Sequence, residues 1–175
     1  AAVAASPDLL RIEGGKVALY TTRDLRGVEV SMLTPARELA GAYSHRVGAK
    51  IAADIQAKAK GDGLNAGQLA ALAHVTSGAG LACVEGLAGT GKSFMLKYAR
   101  EAWQAQGFNL IGLGYSKTAA KELQNGSGIK SMTLAALDWH IENRGLSFTS
   151  KDIFIVDEAG MLGSRMTAKL LARAK

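Results

Sequence analysis

The chain has 175 residues, of which 48% are hydrophobic and 21% charged, which excludes a disordered chain and suits a globular protein with a sizeable core. A formal charge of +6 at pH 7 favours a polyanionic partner such as nucleic acid or nucleotide, although a basic surface that only aids solubility is the alternative. No apolar run reaches the roughly 18 residues of a membrane span, and the single cysteine excludes an internal disulfide, so we expect a cytoplasmic protein with no membrane partner.

The first 61 residues are predicted to form a small, mostly helical region. Gly14-Gly15 marks a turn between two short strands, and a helical pattern begins near Thr22. The pair Thr34-Pro35 predicts a break or a fresh helix start, because the residue before a proline avoids helical dihedrals. Helix then continues to Lys60, with an interruption around residues 44–48.

A boundary is predicted at residues 60–65, where turn formers and charges follow the helical pattern. Residues 1–61 and 62–175 are therefore expected to be two domains. Helices are predicted from Asn65 to Thr76, Lys92 to Gln106, Lys117 to Leu123, Thr133 to Ile141 and Ser164 onward, and strands at residues 81–85, 108–114 and 152–157. Alternating strands and helices predict an α/β fold, with a parallel sheet flanked by helices on both sides.

The segment "GLAGTGKS", residues 86–93, matches the phosphate-loop pattern G-x-x-x-x-G-K-[ST] of P-loop NTPases at every fixed position. Its glycines let backbone N–H groups point at phosphate oxygens, and the helix that follows adds its positive N-terminal end. Lys92 is expected to reach the β and γ phosphates of ATP, and Ser93 to offer its hydroxyl to Mg²⁺. The predicted ATP-binding residues are Gly86, Gly89, Thr90, Gly91, Lys92 and Ser93. A glycine-rich turn is the alternative.

Two acids follow the last predicted strand in "IFIVDEAGM". They are expected at the carboxyl edge of the sheet, where the phosphate loop also lies. Asp157 is suited to organise the Mg²⁺ shell, and Glu158 to activate a water for attack on the γ phosphate, so Lys92 and Glu158 are the predicted catalytic residues. The alternative is that Asp157 caps a turn and Glu158 is solvated.

Four segments together carry a family resemblance: "LNAGQLAAL", "VEGLAGTGKS", "GYSKTAAKELQNGSGIKSMTLAAL" and "IVDEAGMLGSRM". They resemble the first RecA-like domain of superfamily 1 RecD-like helicases, and most of all the helicase part of TraA-type conjugative relaxase-helicases. The resemblance covers about Leu64 to the end and, more loosely, "LYTTRDL" onward. It implies an ATP- and Mg²⁺-dependent motor that moves along single-stranded DNA during plasmid transfer.

The resemblance also implies roles for single residues. Gln68 matches the glutamine that reads the adenine edge in this superfamily, an exposed polar helix residue being the alternative. Thr133 matches a threonine that opens a DNA-proximal helix, an ordinary helix cap being the alternative. The motif that touches DNA is represented by Tyr115, Ser116, Lys117 and Thr118. Many relatives have Gly-Lys-Ala-Ala where this chain has Lys-Thr-Ala-Ala, so the lysine is displaced by one position and the contacting side chain stays open.

The remaining candidate residues are aromatic, sulfur or imidazole side chains. Tyr115 and Trp139 are candidates for base stacking, but core packing is the expectation for Trp139 and Trp103. Cys83 is expected to be a small buried hydrophobe. The three histidines have no partners at metal-ligand spacing, so no metal other than Mg²⁺ is expected.

The family pattern also has parts that this chain lacks. A strand with Gly-Asp and Gln follows the paired acids in the family and lies between the acid strand and the phosphate-loop strand, and a second RecA-like domain supplies arginines to the γ phosphate. The resemblance therefore implies a piece of a longer chain, with an upstream nicking domain, a gapped or shifted sheet and negligible hydrolysis on its own. The alternatives are a non-catalytic single-stranded DNA-binding module and, with less support, a small-molecule kinase.

Overall fold

The computed structural model describes residues 6–12, 18–87 and 89–175; the predicted Gly14-Gly15 turn lies outside them. In chain order the elements are β1 (Leu9–Ile12), β2 (Leu19–Thr22), α1 (Arg23–Gly41), α2 (Ala49–Gly61), α3 (Ala66–Val75), α4 (Lys92–Ala105), β3 (Asn109–Gly114), α5 (Lys117–Ser127), β4 (Ser131–Thr133), α6 (Leu134–Arg144), β5 (Asp152–Val156), a 3₁₀ turn (Ala159–Met161) and α7 (Ser164–Ala174). None of the described helices has both the length and the apolar content needed to cross a membrane.

The chain divides into two compact units, one of residues up to 39 together with 162–175 and the other of residues 40–161. The predicted domain boundary at residue 61 stays a prediction. In the first unit β1 and β2 pair antiparallel, with Leu9 beside Thr22. The ion pairs within this unit include Asp24–Arg165, between α1 and α7, and Glu38–Lys175, between α1 and the residue that follows α7.

The predicted break at Pro35 is wrong, because α1 runs through this residue without interruption. Proline loses one helical hydrogen bond, but its fixed φ is itself helical. Met32, Pro35 and Ala36 are half-buried and Leu39 is buried. This i, i+3, i+4, i+7 spacing gives the helix one inward stripe on both sides of the proline, and its burial favours continuity.

Three parallel strands form the sheet of the second unit, in the order β4-β3-β5. The pairing of β3 with β5 runs from Asn109 beside Asp152 to Leu113 beside Val156. Parallel strands require crossover connections, and the helices between these strands supply them. The predicted α/β fold with helices flanking a parallel sheet is confirmed, although the short strand β4 was not predicted.

The core of this unit lies around α4. Met95, Tyr98, Ala99 and Ala102 are buried at i, i+3, i+4, i+7 spacing, so one face of the helix is wholly apolar apart from one hydroxyl. Trp103 is buried as predicted. Leu64, Leu72, Leu123, Ile129 and Ile155 complete most of this cluster.

The predicted strand at residues 81–85 is not formed. The chain just before it pairs instead with residues 42–45, through a bridge between Tyr43 and Ala79 and a hydrogen bond from Gly80 N–H to the Ala42 carbonyl. Cys83 is exposed, so its predicted burial is wrong as well. An apolar run becomes a strand only when a neighbouring strand pairs with it, and in the described chain β5 pairs with β3 alone. The expected gapped or shifted sheet stays a prediction.

Candidate functional site

The phosphate loop leads directly into the N-terminus of α4, and Ala88 within it lies outside the described residues. Lys92 Nζ donates to the carbonyl oxygens of Gly86 at 2.7 Å and Leu87 at 3.0 Å. Thr90 Oγ1 donates to the same Leu87 carbonyl at 2.7 Å. The loop therefore curls around its own lysine, and an ammonium group with three donors occupies the concave side on which a phosphate oxygen would bind.

Gln68 ties the loop to α3. Its Oε1 accepts from Asn65 N–H at 2.9 Å in a capping box, and its Nε2 donates to the Thr90 carbonyl at 2.9 Å. A Cβ on Gly91 would lie 2.4 Å from this Nε2, and Gly91 has a φ of +79°. Glycine is thus required here by both space and backbone conformation. The structure places Gln68 against the loop, with one amide hydrogen left over; its predicted reading of adenine stays a prediction.

Ser93 packs against the last turn of α5. A Cβ on Gly126 would lie 2.7 Å from the Ser93 Cβ and 3.2 Å from its Oγ, so only a glycine lets the two helices approach this closely. This contact fixes the start of α4 beside the C-terminal end of α5. Along α5, Gly126 is about 14 Å from the N-terminal residue Lys117.

The paired acids lie at the carboxyl end of β5. Asp157 N–H donates to the Leu113 carbonyl at 3.2 Å, which places this acid at the carboxyl end of β3 as well. Its Oδ1 accepts from Glu158 N–H at 3.0 Å, and Glu158 adopts a φ of +52°. This left-handed conformation costs a side-chain-bearing residue about 1 to 2 kcal/mol and turns the chain sharply after the strand.

The loop and the acids are each held by hydrogen bonds to neighbouring residues. In the described chain no hydrogen bond or ion pair joins Asp157 or Glu158 to Lys92 or Ser93. The acids lie near the start of α5 and Ser93 lies near its end. The predicted sharing of one Mg²⁺ by Ser93 and Asp157 therefore stays a prediction.

Two of the five predicted DNA-contacting residues line a groove of about 290 Å³. It is lined by Lys117, Ala120, Lys121, Gln124, Ser131, Met132, Thr133 and Ala136. Lys117 and Thr133 are thus brought together, whereas Tyr115, Ser116 and Thr118 do not line the groove. Tyr115 is 54% exposed, and the Ser116 hydroxyl caps α5 by accepting from Ala119 N–H at 3.1 Å.

Thr133 caps α6, since its Oγ1 accepts from Ala136 N–H at 3.1 Å. The cap and the groove position are compatible, because a threonine oxygen has a second lone pair. Trp139 on the same helix is 48% exposed, with the Arg144 guanidinium 5.1 Å from its ring centre, so its predicted core packing is wrong.

The family model that matches this chain is described as an AAA domain, and it covers residues 63–175. The chain belongs to this family. Its members include the RecD-like helicase domains, and the domain is a P-loop NTPase domain.

Curated relatives of this AAA domain are conjugal transfer proteins. The chain is 34% identical to the probable conjugal transfer protein TraA of Sinorhizobium fredii over 97% of its length. It is 34% identical to the conjugal transfer protein TraA of Agrobacterium fabrum over 93% of the chain, and 36% identical to that of Rhizobium radiobacter over 86%. The chain spans only 14 to 16% of the length of these relatives.

The donor set of the AAA domain fits Mg²⁺ bound together with a nucleotide. Magnesium prefers oxygen ligands and in nucleotide sites takes only one or two protein groups, the rest being phosphate oxygens and water. Ser93 offers a hydroxyl, and Asp157 has a carboxylate oxygen beyond the one that accepts from Glu158. No cluster of three or more histidine, cysteine, aspartate or glutamate side chains that could hold a metal ion occurs among the described residues.

The groove residues that were not predicted from the sequence include Lys121 and Gln124. The signal was present, since Lys117 and Lys121 are four apart and so share one helix face. Gln124 is recognisable only in three dimensions, where its Oε1 accepts from Ser131 N–H at 3.1 Å and ties α5 to β4.

Proposed function

We propose that this AAA domain binds Mg-ATP and forms the ATP-binding part of a DNA-dependent motor that acts in conjugal transfer. The observation that carries the proposal is the Lys92 ammonium enclosed by the carbonyls of its own loop at the N-terminus of α4. A triphosphate offers that ammonium better acceptors, because charge-assisted hydrogen bonds to phosphate are stronger than those to neutral carbonyls.

The residues divide into phosphate binding and chemistry. Lys92 would neutralise the β and γ phosphates, and Ser93 and Asp157 would hold Mg²⁺, which supplies charge neutralisation between those phosphates when bound. Glu158 would orient and deprotonate the attacking water, and its strained backbone supports this role because strain of this kind clusters at active sites. In the complete protein, a second RecA-like domain would contribute the arginines and an upstream nicking domain would supply the DNA end.

Calorimetric titration of the chain with Mg-ATP tests nucleotide binding. We expect saturable binding by the wild type and at least about tenfold weaker binding by Lys92→Ala, because loss of a charge-assisted contact to phosphate costs about 1.5 to 3 kcal/mol. Lys60→Ala is the matched control, since Lys60 is an exposed lysine on α2 outside the loop. Equal affinity of the two variants for Mg-ATP would contradict the proposal.

The groove supports single-stranded DNA as the second ligand, with Lys117 and Lys121 contacting phosphates. Binding of a fluorescent oligothymidine, measured by anisotropy over a range of salt concentrations, tests this part. Each lysine removed should weaken binding and lower the salt slope by about 0.7, the value expected for one lost phosphate contact on a single strand. A Lys121→Ala slope identical to that of Lys60→Ala would remove Lys121 from the DNA interface.

A second candidate is a DNA-binding module without ATPase activity. The observation that favours it is that no hydrogen bond or ion pair joins the loop residues to the acids in the described chain. This candidate would be selected if the wild-type chain bound DNA but showed no heat of binding in a calorimetric titration with Mg-ATP.

A further inference from the structure

Phe94 is an exposed aromatic in the first turn of the helix that follows the phosphate loop. It comes directly after Ser93, and 39% of its surface is accessible although the same helix supplies much of the core. Part of the ring is therefore open to contact with a ligand of the neighbouring loop.

The ring of Phe94 is held in place from the protein side. Its centre lies 5.4 Å from that of Tyr98 in an edge-to-face arrangement, and the Tyr98 hydroxyl donates to Asp62 Oδ2 at 2.7 Å. Lys97 Nζ lies 5.9 Å from the Phe94 ring centre and 5.4 Å from that of Tyr98. A ring with these neighbours is pre-positioned, which lowers the entropic cost of stacking.

The position of Phe94 follows from two hydrogen bonds, one to the loop just before α4 and one to the second turn of α4. Asp62 is bound to Tyr98, and Gln68 is bound to Thr90 just before the helix, so residues 62–68 run alongside its first two turns. Phe94 lies between these two hydrogen bonds along the chain. An aromatic face and a side-chain amide therefore flank the base of the same phosphate-binding loop.

We propose that Phe94 is the stacking platform for the purine base of the nucleotide. The proposal rests on the proposed ATP binding. A nucleoside is tethered to its phosphates through the ribose, so its base must bind in the neighbourhood of the loop, and an aromatic ring is a surface on which a base stacks. Stacking is tolerant of base identity.

The test compares ligands with and without a base. Calorimetric titrations with Mg-ATP, Mg-GTP and Mg-tripolyphosphate are made on the wild-type chain and on Phe94→Ala and Phe94→Trp. We expect Phe94→Ala to weaken ATP and GTP by about 5- to 100-fold while tripolyphosphate changes less than about twofold. Phe94→Trp should keep or improve nucleotide affinity.

Tyr43→Ala is the control, because Tyr43 is 72% exposed and remote in sequence from the loop, and it should leave all three affinities unchanged. Unchanged ATP affinity in Phe94→Ala would overturn the inference and assign the ring to another partner. Equal weakening of ATP and tripolyphosphate would also overturn it, because the loop itself would then be damaged. If the wild type bound none of the three ligands, the proposed function would fail and this inference with it.

Discussion

Glu158 is the only non-glycine residue with a positive φ in the described chain, and it is also the predicted general base. Its neighbour Asp157 accepts its N–H, and Met161 N–H donates to its carbonyl at 2.8 Å, so the turn is held on both sides of the strained residue. A strained backbone conformation of this kind is typical of a functional position, where the direction of the side chain matters more than the stability of the fold.

Replacing Glu158 with glycine should therefore stabilise the chain. Glycine adopts a φ near +52° without steric cost, so we expect the free energy of unfolding to rise by about 1 kcal/mol, measured by urea denaturation. Glu158→Ala is the control, because it removes the carboxylate but keeps the strained Cβ. A glycine variant no more stable than the alanine variant would show that the strain is not stored at this residue.

The phosphate loop could be read from the sequence because each of its residue types is required by phosphate chemistry. The Asn65 cap was equally readable, since the side chain and the helix start are local. The clamp of Gln68 on Thr90 joins residues 22 apart and depends on how α3 packs, which no local pattern encodes. Phe94 was likewise invisible as a site residue, because exposure is a tertiary property.

At the level of elements, α4 connects the loop to the core. Tyr98 shows how tightly it is anchored: its side chain is fully buried, and burial together with the hydrogen bond to Asp62 raises its pKa from 10.0 to about 12. Asp62 and Glu101 face this hydroxyl as negative charges that add to the shift. The neutral phenol is thus the form that the folded state requires.

This raised pKa predicts a stability change at alkaline pH. The folded state holds the phenolic proton more tightly than the unfolded state, so the contribution is complete below about pH 10 and is lost as the pH rises toward 12. Tyr98→Phe should cost about 1 kcal/mol at neutral pH and should show a shallower loss of stability between pH 10 and 12. Parallel pH dependences of the two proteins in thermal unfolding would rule out Tyr98 as the source.

The elements that the sequence predicted correctly are those with a strong local pattern, such as α4 with its apolar stripe and β3 with its continuous apolar run. The predictions that were wrong concern segments whose structure depends on partners distant in the chain. Residues 81–85 have the composition of a buried strand, but no strand pairs with them in the described chain. Trp139 is a residue type that usually packs in the core, but here its side chain is exposed. At Pro35 the local pattern predicted a break, but the helix continues because its inward stripe packs on both sides of the proline.

At the scale of the whole molecule, the described chain has an open sheet edge. β5 pairs with β3 only, and since Asp157 N–H points to β3, the alternating amides of Phe154 and Val156 point away from it. The matched segment covers 16% of the TraA protein of Sinorhizobium fredii, so that relative is about six times longer than the segment. The full motor function proposed above therefore belongs to the longer protein.

Hydrogen exchange of β5 tests this open edge. The amides of Phe154 and Val156 should exchange quickly in this chain and slowly in a longer chain in which a further strand pairs with β5. The Ile155 amide, which points to β3, is the internal control and should be protected in both. Slow exchange at all three positions in the present chain would show that the edge is already covered.

The most direct test of the account measures Mg-ATP binding and DNA-stimulated phosphate release in the complete protein, for the wild type, Lys92→Ala and Glu158→Gln. If the loop and the acids act on one triphosphate, Lys92→Ala loses binding and turnover together, whereas Glu158→Gln keeps its affinity within about threefold and loses about 10²- to 10⁴-fold in rate. Phosphate release by Glu158→Gln at the wild-type rate would contradict the account, because the acid at the end of β5 would then have no part in the reaction at the phosphate loop.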